Sequence, residues 1–266
     1  MILKPRPFRK PNLGSPLGKG LIGCWLFNDG PQALGTTYDL SGNGNHGTLV
    51  ADTHSVPGKF GNALDFDGTG DYVNCGDVTT FDGLTEMSFV VWYNQAAQGS
   101  GSRTILISKD ETFEVRIRAD NLNVYALMIN NEQVRFVTSV SNGVWTQVVM
   151  TWIGGGADSR SIYENGVWKE TKAGTKSSID NTAFSMTFGG RTTSYPYNGQ
   201  IDHAIIYNRA LSAGEVASLY AEPFQMFHRE PIELWAGATS GGAPPAGVAP
   251  TGNLYGPLWG PLAGVA

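Results

Sequence analysis

Apolar and polar positions alternate with a period of two over Met87–Tyr93, Thr104–Ser108, Phe113–Arg118, Val124–Ile129, Gln133–Thr138, Trp145–Ile153, Ser161–Glu164, Val167–Thr171, Phe184–Phe188 and Ile201–Asn208. Such alternation marks strands that turn one face to a core and the other away from it. In the last of these runs Ile201, His203, Ile205 and Tyr207 fall on one face, and Asp202, Ala204 and Ile206 on the other. A short helix is predicted directly after it. Ser212 and Glu215 have the spacing of a capping box, Leu211 and Val216 that of a hydrophobic staple, and Pro223 stops the helix. Asn165-Gly166 predicts a type I′ hairpin, because both central positions of that turn need positive φ, and Asn130-Asn131 suggests a second. Strands this numerous with almost no helix between them must pair antiparallel and pack as two sheets. Trp25, Trp92, Trp145 and Trp152 sit in or beside the strands and are assigned to the core, while Trp168, just past a hairpin turn, is expected outside it.

Several segments carry a resemblance. They are Gly20-Leu-Ile-Gly-Cys-Trp-Leu-Phe27, Tyr38-Asp-Leu-Ser-Gly-Asn-Gly-Asn-His-Gly-Thr48, Gly58-Lys-Phe-Gly-Asn-Ala-Leu-Asp-Phe-Asp-Gly68, Asp71-Tyr-Val73, Gly143-Val-Trp-Thr-Gln-Val-Val-Met-Thr-Trp152 and Ile162-Tyr-Glu-Asn-Gly-Val167. In this order, and with the strand-cap-helix run at 198–216, they resemble the concanavalin A-like lectin/glucanase superfamily, in particular its laminin-G-like branch. The resemblance covers residues 20 to 220. It implies an all-β, two-sheet antiparallel jelly-roll sandwich with one short C-terminal helix and extended N- and C-terminal arms.

Composition adds the arms. Residues 1–19 hold Pro5, Pro7, Pro11 and Pro16, which favour an extended path. The first 20 residues carry Lys4, Arg6, Arg9, Lys10 and Lys19 without an acid, whereas the remainder has 13 basic and all 23 acidic residues. A β domain follows over 20–227. Residues 228–266 form a Gly/Pro/Ala-rich strap that ends in Leu254, Tyr255, Leu258, Trp259 and Leu262. No apolar run approaches the roughly 20 residues that span a bilayer, so no membrane partner is expected. The opening Met-Ile-Leu-Lys-Pro-Arg-Pro lacks the apolar centre of a secretory signal. Cys24 and Cys75 read as small buried apolar residues, paired only if their strands are neighbours.

Catalytic chemistry is not expected. Glycosidases of the resembled superfamily place two carboxylates on one strand face, commonly as Glu-x-Asp-x-x-Glu, and Lys109-Asp-Glu-Thr-Phe-Glu114 has the wrong spacing. Glu114, Arg116 and Arg118 share a face that reads as a polar outer sheet surface, and the four histidines have no zinc-like spacing. Many laminin-G-like domains bind Ca2+ through loop oxygens, which the resemblance would place on Asp39, Asn43 and Asp202. The alternative gives Asp39 and Asn43 turn hydrogen bonds. Trp168, Tyr195 and Tyr197 are candidates to stack on sugar rings, with the Arg191–Asn198 loop as a rim contact.

Two functional readings follow. In the first, the chain is a non-enzymatic structural protein of a virion, a capsid decoration or tail-associated protein. Its arms would dock on other virion proteins or copies of itself through Arg6, Arg9, Lys10, Tyr255 and Trp259. The run Leu211–Phe227 resembles the ends of laminin-G-like proteins from phage and environmental viral genomes. In the second, the chain is a carbohydrate-binding or adhesion module at a cell surface. Host-surface glycans are compatible with both. Nucleic acid is the least expected partner, because no aromatic-basic platform accompanies the arm.

Overall fold

The computed structural model describes residues 2–5, 9–28, 35–97, 103–118, 124–155, 158–192 and 194–228. Its strands form two eight-stranded sheets, every pairing antiparallel. The strands are β1 (Leu21–Trp25), β2 (Thr36–Thr37), β3 (Gly47–Val50), β4 (His54–Pro57), β5 (Asn62–Asp67), β6 (Tyr72–Asn74), β7 (Glu86–Gln95) and β8 (Arg103–Lys109). They continue as β9 (Phe113–Arg118), β10 (Val124–Ile129), β11 (Glu132–Ser139), β12 (Thr146–Ile153), β13 (Asp158–Glu164), β14 (Val167–Gly174), β15 (Met186–Phe188) and β16 (Asn198–Tyr207). One sheet, the back sheet, runs β14-β13-β12-β7-β16-β5-β4 with β1 added on β16, and the other, the front sheet, runs β11-β10-β9-β8-β15-β6-β3-β2. This is the expected jelly-roll sandwich.

Between the sheets lies a core built on Trp25, Trp152, Phe66, Phe89, Phe113, Tyr93, Tyr125 and Tyr197, all essentially without solvent contact. A second apolar layer covers the outer face of the back sheet. Trp92, Val149, Ile205 and Tyr207 of that sheet pack there under Leu17, Phe60, Phe224 and Met226. The helix α1 (Ala213–Ala221) contributes Val216 and Leu219 to the same layer. The capping box is present in full: the Ser212 side chain accepts from the Glu215 amide, and the Glu215 side chain accepts from the Ser212 amide. Leu211 and Val216 of the staple share the layer. Asn165 and Gly166 have φ of 51° and 79°, and Asn130 and Asn131 of 44° and 60°, as both hairpin readings require. Trp25, Trp92 and Trp152 are buried, and Trp145 partly so.

Among the described residues the front sheet has no such second layer. Register partners trace one row across all eight of its strands: Thr36, Thr48, Asn74, Thr187, Ser108, Glu114, Met128 and Gln133. Apart from Met128 the row is polar, and Phe113, Val115 and Ile117 of β9 point the other way, into the core.

Two expectations change. β16 does not keep a single alternation, because its register against β7 shifts between Ile201 and His203. Ile201 joins Ala204 and Ile206 in the inter-sheet core, while Ile205 and Tyr207 enter the outer layer. Asp202 is the extra residue of a bulge, placed where β16 hands over from β5 (Asn198–Ile201) to β1 (Ala204–Tyr207). The N-terminal segment, expected to reach toward other molecules, is tied to this domain at Lys4, Asn12 and Leu17. The Lys4 amide donates to the Phe60 carbonyl (3.2 Å) and the Asn12 amide to the Met226 carbonyl (2.7 Å), and Leu17 is buried. Arg9 and Lys10 are exposed, whereas Arg6, Tyr255 and Trp259 lie outside the described residues. Cys24 and Cys75 are both free.

Candidate functional site

The polar row of the front sheet is overhung by the segment that leaves β15. Gly189 and Gly190 start it, with φ of 78° and 149°. A Cβ on Gly189 would stand 2.2 Å from the Phe66 ring, so only glycine lets the chain turn there. The Arg191 amide donates to the Ser194 carbonyl (2.9 Å), closing a turn. Tyr197 then anchors the far end: its amide donates to Gly189 (2.8 Å), and its ring lies in the core against Phe66 and Tyr93. Tyr197, a candidate for sugar stacking, is therefore packed inside its own domain and is unavailable to a sugar.

Arg191 is fixed from below. Its Nη1 lies 2.7 Å from Asp110, and its Nε donates to Glu114 Oε1 at 2.6 Å. Glu114 has no exposure, and its second oxygen is paired with Arg116, which also donates to Gln133 (2.9 Å). Burial, together with the neighbouring guanidinium groups of Arg103 and Arg191, pushes Arg116 down to about 10 against the pull of Glu114. Glu114 is thus ion-paired with Arg191 through one oxygen and with Arg116 through the other.

Two clefts open on either side of this loop, and both are lined by Arg191 and Thr192. The first, of about 210 Å³, is floored by Ser108 and Thr187 and walled by Asp110, Phe184 and Ser185. Phe184 is 41% exposed, and it lies in the loop before β15, not in a strand as the alternation had suggested. The second, of about 270 Å³, lies against Gly68, Thr69, Gly70 and Asp71. An apolar ring beside convergent hydroxyl, carboxylate and guanidinium groups suits a polyhydroxylated ligand with one apolar face.

Tyr195 adopts φ 59°, unusual for a residue with a side chain. Its ring carries the Arg103 guanidinium at 3.8 Å and the Arg191 guanidinium at 5.4 Å from its centre. The ring holds arginines in place and is not the bare sugar platform expected. Trp168 is 54% exposed on the edge strand β14, with its Nε1 donating to Thr171 (3.0 Å), and it stands apart from both clefts.

The calcium candidates do not converge. Asp39 accepts from the amides of Cys24 (2.9 Å), Ser41 (2.9 Å) and Asn45 (3.1 Å) and from the Ser41 hydroxyl (2.8 Å), and Asn43 donates to the Ile22 carbonyl (3.0 Å). This is the turn alternative. Asp202 pairs instead with Lys4 (3.0 Å) and His203 (2.7 Å) and accepts from the Phe60 amide (3.0 Å). Among the described residues no group of three or more His, Cys, Asp or Glu could hold a metal ion.

Phe184, Asp110 and Arg191 were missed as a group because they come from three separate segments. The one signal available was the Arg191–Asn198 loop, with its Gly-Gly entry and paired tyrosines.

No curated protein matches the chain. Its fold is similar to that of domain 4 of AbnA, a GH43 extracellular arabinanase from Geobacillus stearothermophilus solved in complex with arabinotriose. The TM-score is 0.60 and the identity 20%, covering 75% of this chain and 98% of that one. It is also similar to the binding domain of Paraclostridial Mosquitocidal Protein 1 (TM-score 0.59, 14% identity, 76% and 52% covered). The binding domain of botulinum neurotoxin serotype G is a further likeness (TM-score 0.58, 17% identity, 76% and 50% covered). The chain spans about half the length of the two toxin structures. A Laminin_G_3 family model matches residues 67–217, more than half of the sequence. The chain belongs to the concanavalin A-like lectin/glucanases superfamily.

Proposed function

We propose that this domain is a non-catalytic carbohydrate-binding module, and that its glycan site is the cleft between Phe184 and Arg191 on the front sheet. One observation carries the reading: a partly exposed aromatic ring faces a fixed Asp110–Arg191 pair across a floor of Ser108 and Thr187. A sugar ring has an apolar C–H face for Phe184 and hydroxyls for the pair, which offers an acceptor and a donor side by side. The cleft is below the ~300–1,000 Å³ usual for drug-sized ligands, a size that suits a single ring of a longer chain. Support also comes from the fold's company, since the arabinanase domain of like fold was solved with arabinotriose and the toxin domains are named binding domains. The virion reading draws on the laminin-G-like domain, residues 1–19, the run Leu211–Phe227 and residues 228–266, whereas the cleft favours glycan binding.

The test is oligosaccharide binding by the full chain, first on a glycan array and then by calorimetry on the hits. Phe184→Ala is expected to weaken the best hit at least tenfold, about 1.4 kcal/mol, with an unchanged melting temperature. Equal binding by wild type and Phe184→Ala would remove the site.

A further inference from the structure

The arginines around Tyr195 bear on which sugars such a site would take, and this step rests on the glycan reading just proposed. Arg103, Arg116 and Arg191 lie close enough to act on one another's charge, and the acids that pair with them are Glu114 and Asp110. Arg116 is taken by Glu114 and Gln133, and Arg191 by Glu114 and Asp110. Arg103 is different. It makes no ion pair among the described residues, and its Nε is buried without a hydrogen-bond partner. What holds it is the Tyr195 ring, 3.8 Å beneath its guanidinium.

A cation stacked on an aromatic face is attracted through the π-system and keeps its in-plane N–H donors for something else. A planar carboxylate accepts two such donors at once, in the geometry that makes these the stronger hydrogen bonds. Tyr195, half-buried, makes this contact from a left-handed backbone conformation with φ 59°. Arg191 touches the same ring and lines both clefts, and Arg103, which lines neither, shares that ring with it.

We infer that Arg103, stacked on Tyr195, is an anion subsite beside the Phe184–Arg191 cleft, and that the preferred ligand is a carboxylate-bearing glycan. The uncharged part of the ligand sits against Phe184, and its carboxylate meets the in-plane edge of the Arg103 guanidinium.

The experiment titrates the full chain with oligogalacturonate, hyaluronan fragments and sialyllactose, each against its carboxyl-reduced form. For the wild type, at least one acidic ligand is expected to bind tenfold or more tightly than its reduced form, with an affinity that falls as salt is raised. Arg103→Gln should bring that pair to within twofold while leaving the reduced form's affinity unchanged. Arg103→Lys, which keeps the charge and loses the fork, should keep part of the preference. Equal binding of acidic and reduced forms by the wild type, or a preference that survives Arg103→Gln in a folded protein, overturns the inference. If neutral ligands still bind through Phe184 in that case, the cleft reading stands and only the anion subsite falls. If no oligosaccharide binds at all, both fall.

Discussion

The bulge at Asp202 places a buried charge network at the joint of the back sheet, and removing its central charge has a calculable effect. Lys4, with its side chain 3% exposed, meets the fully buried Asp202 carboxylate at 3.0 Å. Its ammonium also donates to the carbonyls of Asp202 (2.6 Å) and Asn62. His203 lies against Asp202 at 2.7 Å through Nδ1. A carboxylate only accepts, so Nδ1 carries the proton, and the Nε2 lone pair is left without a partner beside Phe60 and Phe224. Asp202→Asn keeps the shape but removes the buried ion pair between Asp202 and the Lys4 ammonium. Breaking a buried pair in this way costs about 3–5 kcal/mol. Two carbonyls remain on Lys4 and the N-terminal segment can carry it into water, so the lower end, about 3 kcal/mol, is expected. At roughly 2–4 °C per kcal/mol for a domain of this size, the melting temperature should drop by about 6–12 °C. Calorimetry and urea unfolding would measure it, with Lys4→Met and the double variant completing a cycle. The double variant should be less destabilised than the sum of the single changes by at least about 1 kcal/mol. A loss of less than about 0.5 kcal/mol, or strict additivity, would show that the buried pair does not carry this stability.

Acid should act on the same network. Burial holds His203 below its ordinary range, against the hydrogen bond and charge of Asp202, so from about pH 6.5 downward the unfolded chain takes up a proton that the native state resists. Burial would raise Asp202, but the hydrogen bond and charge of His203, with Lys4 and the Phe60 amide, outweigh it and hold it low. Its contribution is full above the unfolded carboxylate range and is lost as pH falls through the folded value. His54, raised chiefly by its bond to the Asp52 carbonyl, works in the opposite sense, so the comparison is with His203→Gln, whose stability should fall less between pH 6.5 and 5. Parallel curves for the two proteins would contradict this. Ser212→Ala removes the N-cap of α1 and should cost about 1 kcal/mol by urea unfolding. No change would mean that packing of Val216 and Leu219 alone sets the helix.

Much of the fold was legible because local chemistry and tertiary packing agree. Asn165-Gly166 can take φ values that few pairs tolerate, and Ser212 with Glu215 satisfies amides that nothing else reaches. The facing of Glu114, Arg116 and Arg118 away from the core could likewise be read from β9 alone. The phase of β16 could not. A bulge is a property of the pair of strands, and Asp202 stands at a change of partner that its own neighbours in sequence do not encode. Tyr195 and Tyr197 look alike in sequence, yet one ring enters the core and the other holds an arginine. The cleft itself combines β8, the turn after it, the loop before β15 and the loop after it, a juxtaposition made only by the pairing of β15 with β8.

Where the glycan binds is decided by backbone amide shift mapping of the full chain during titration with its best array ligand. The largest shifts are expected on Ser108, Asp110, Phe184, Thr187 and Arg191. Shifts centred on Trp168 and the β14 edge, with that cleft silent, would contradict it.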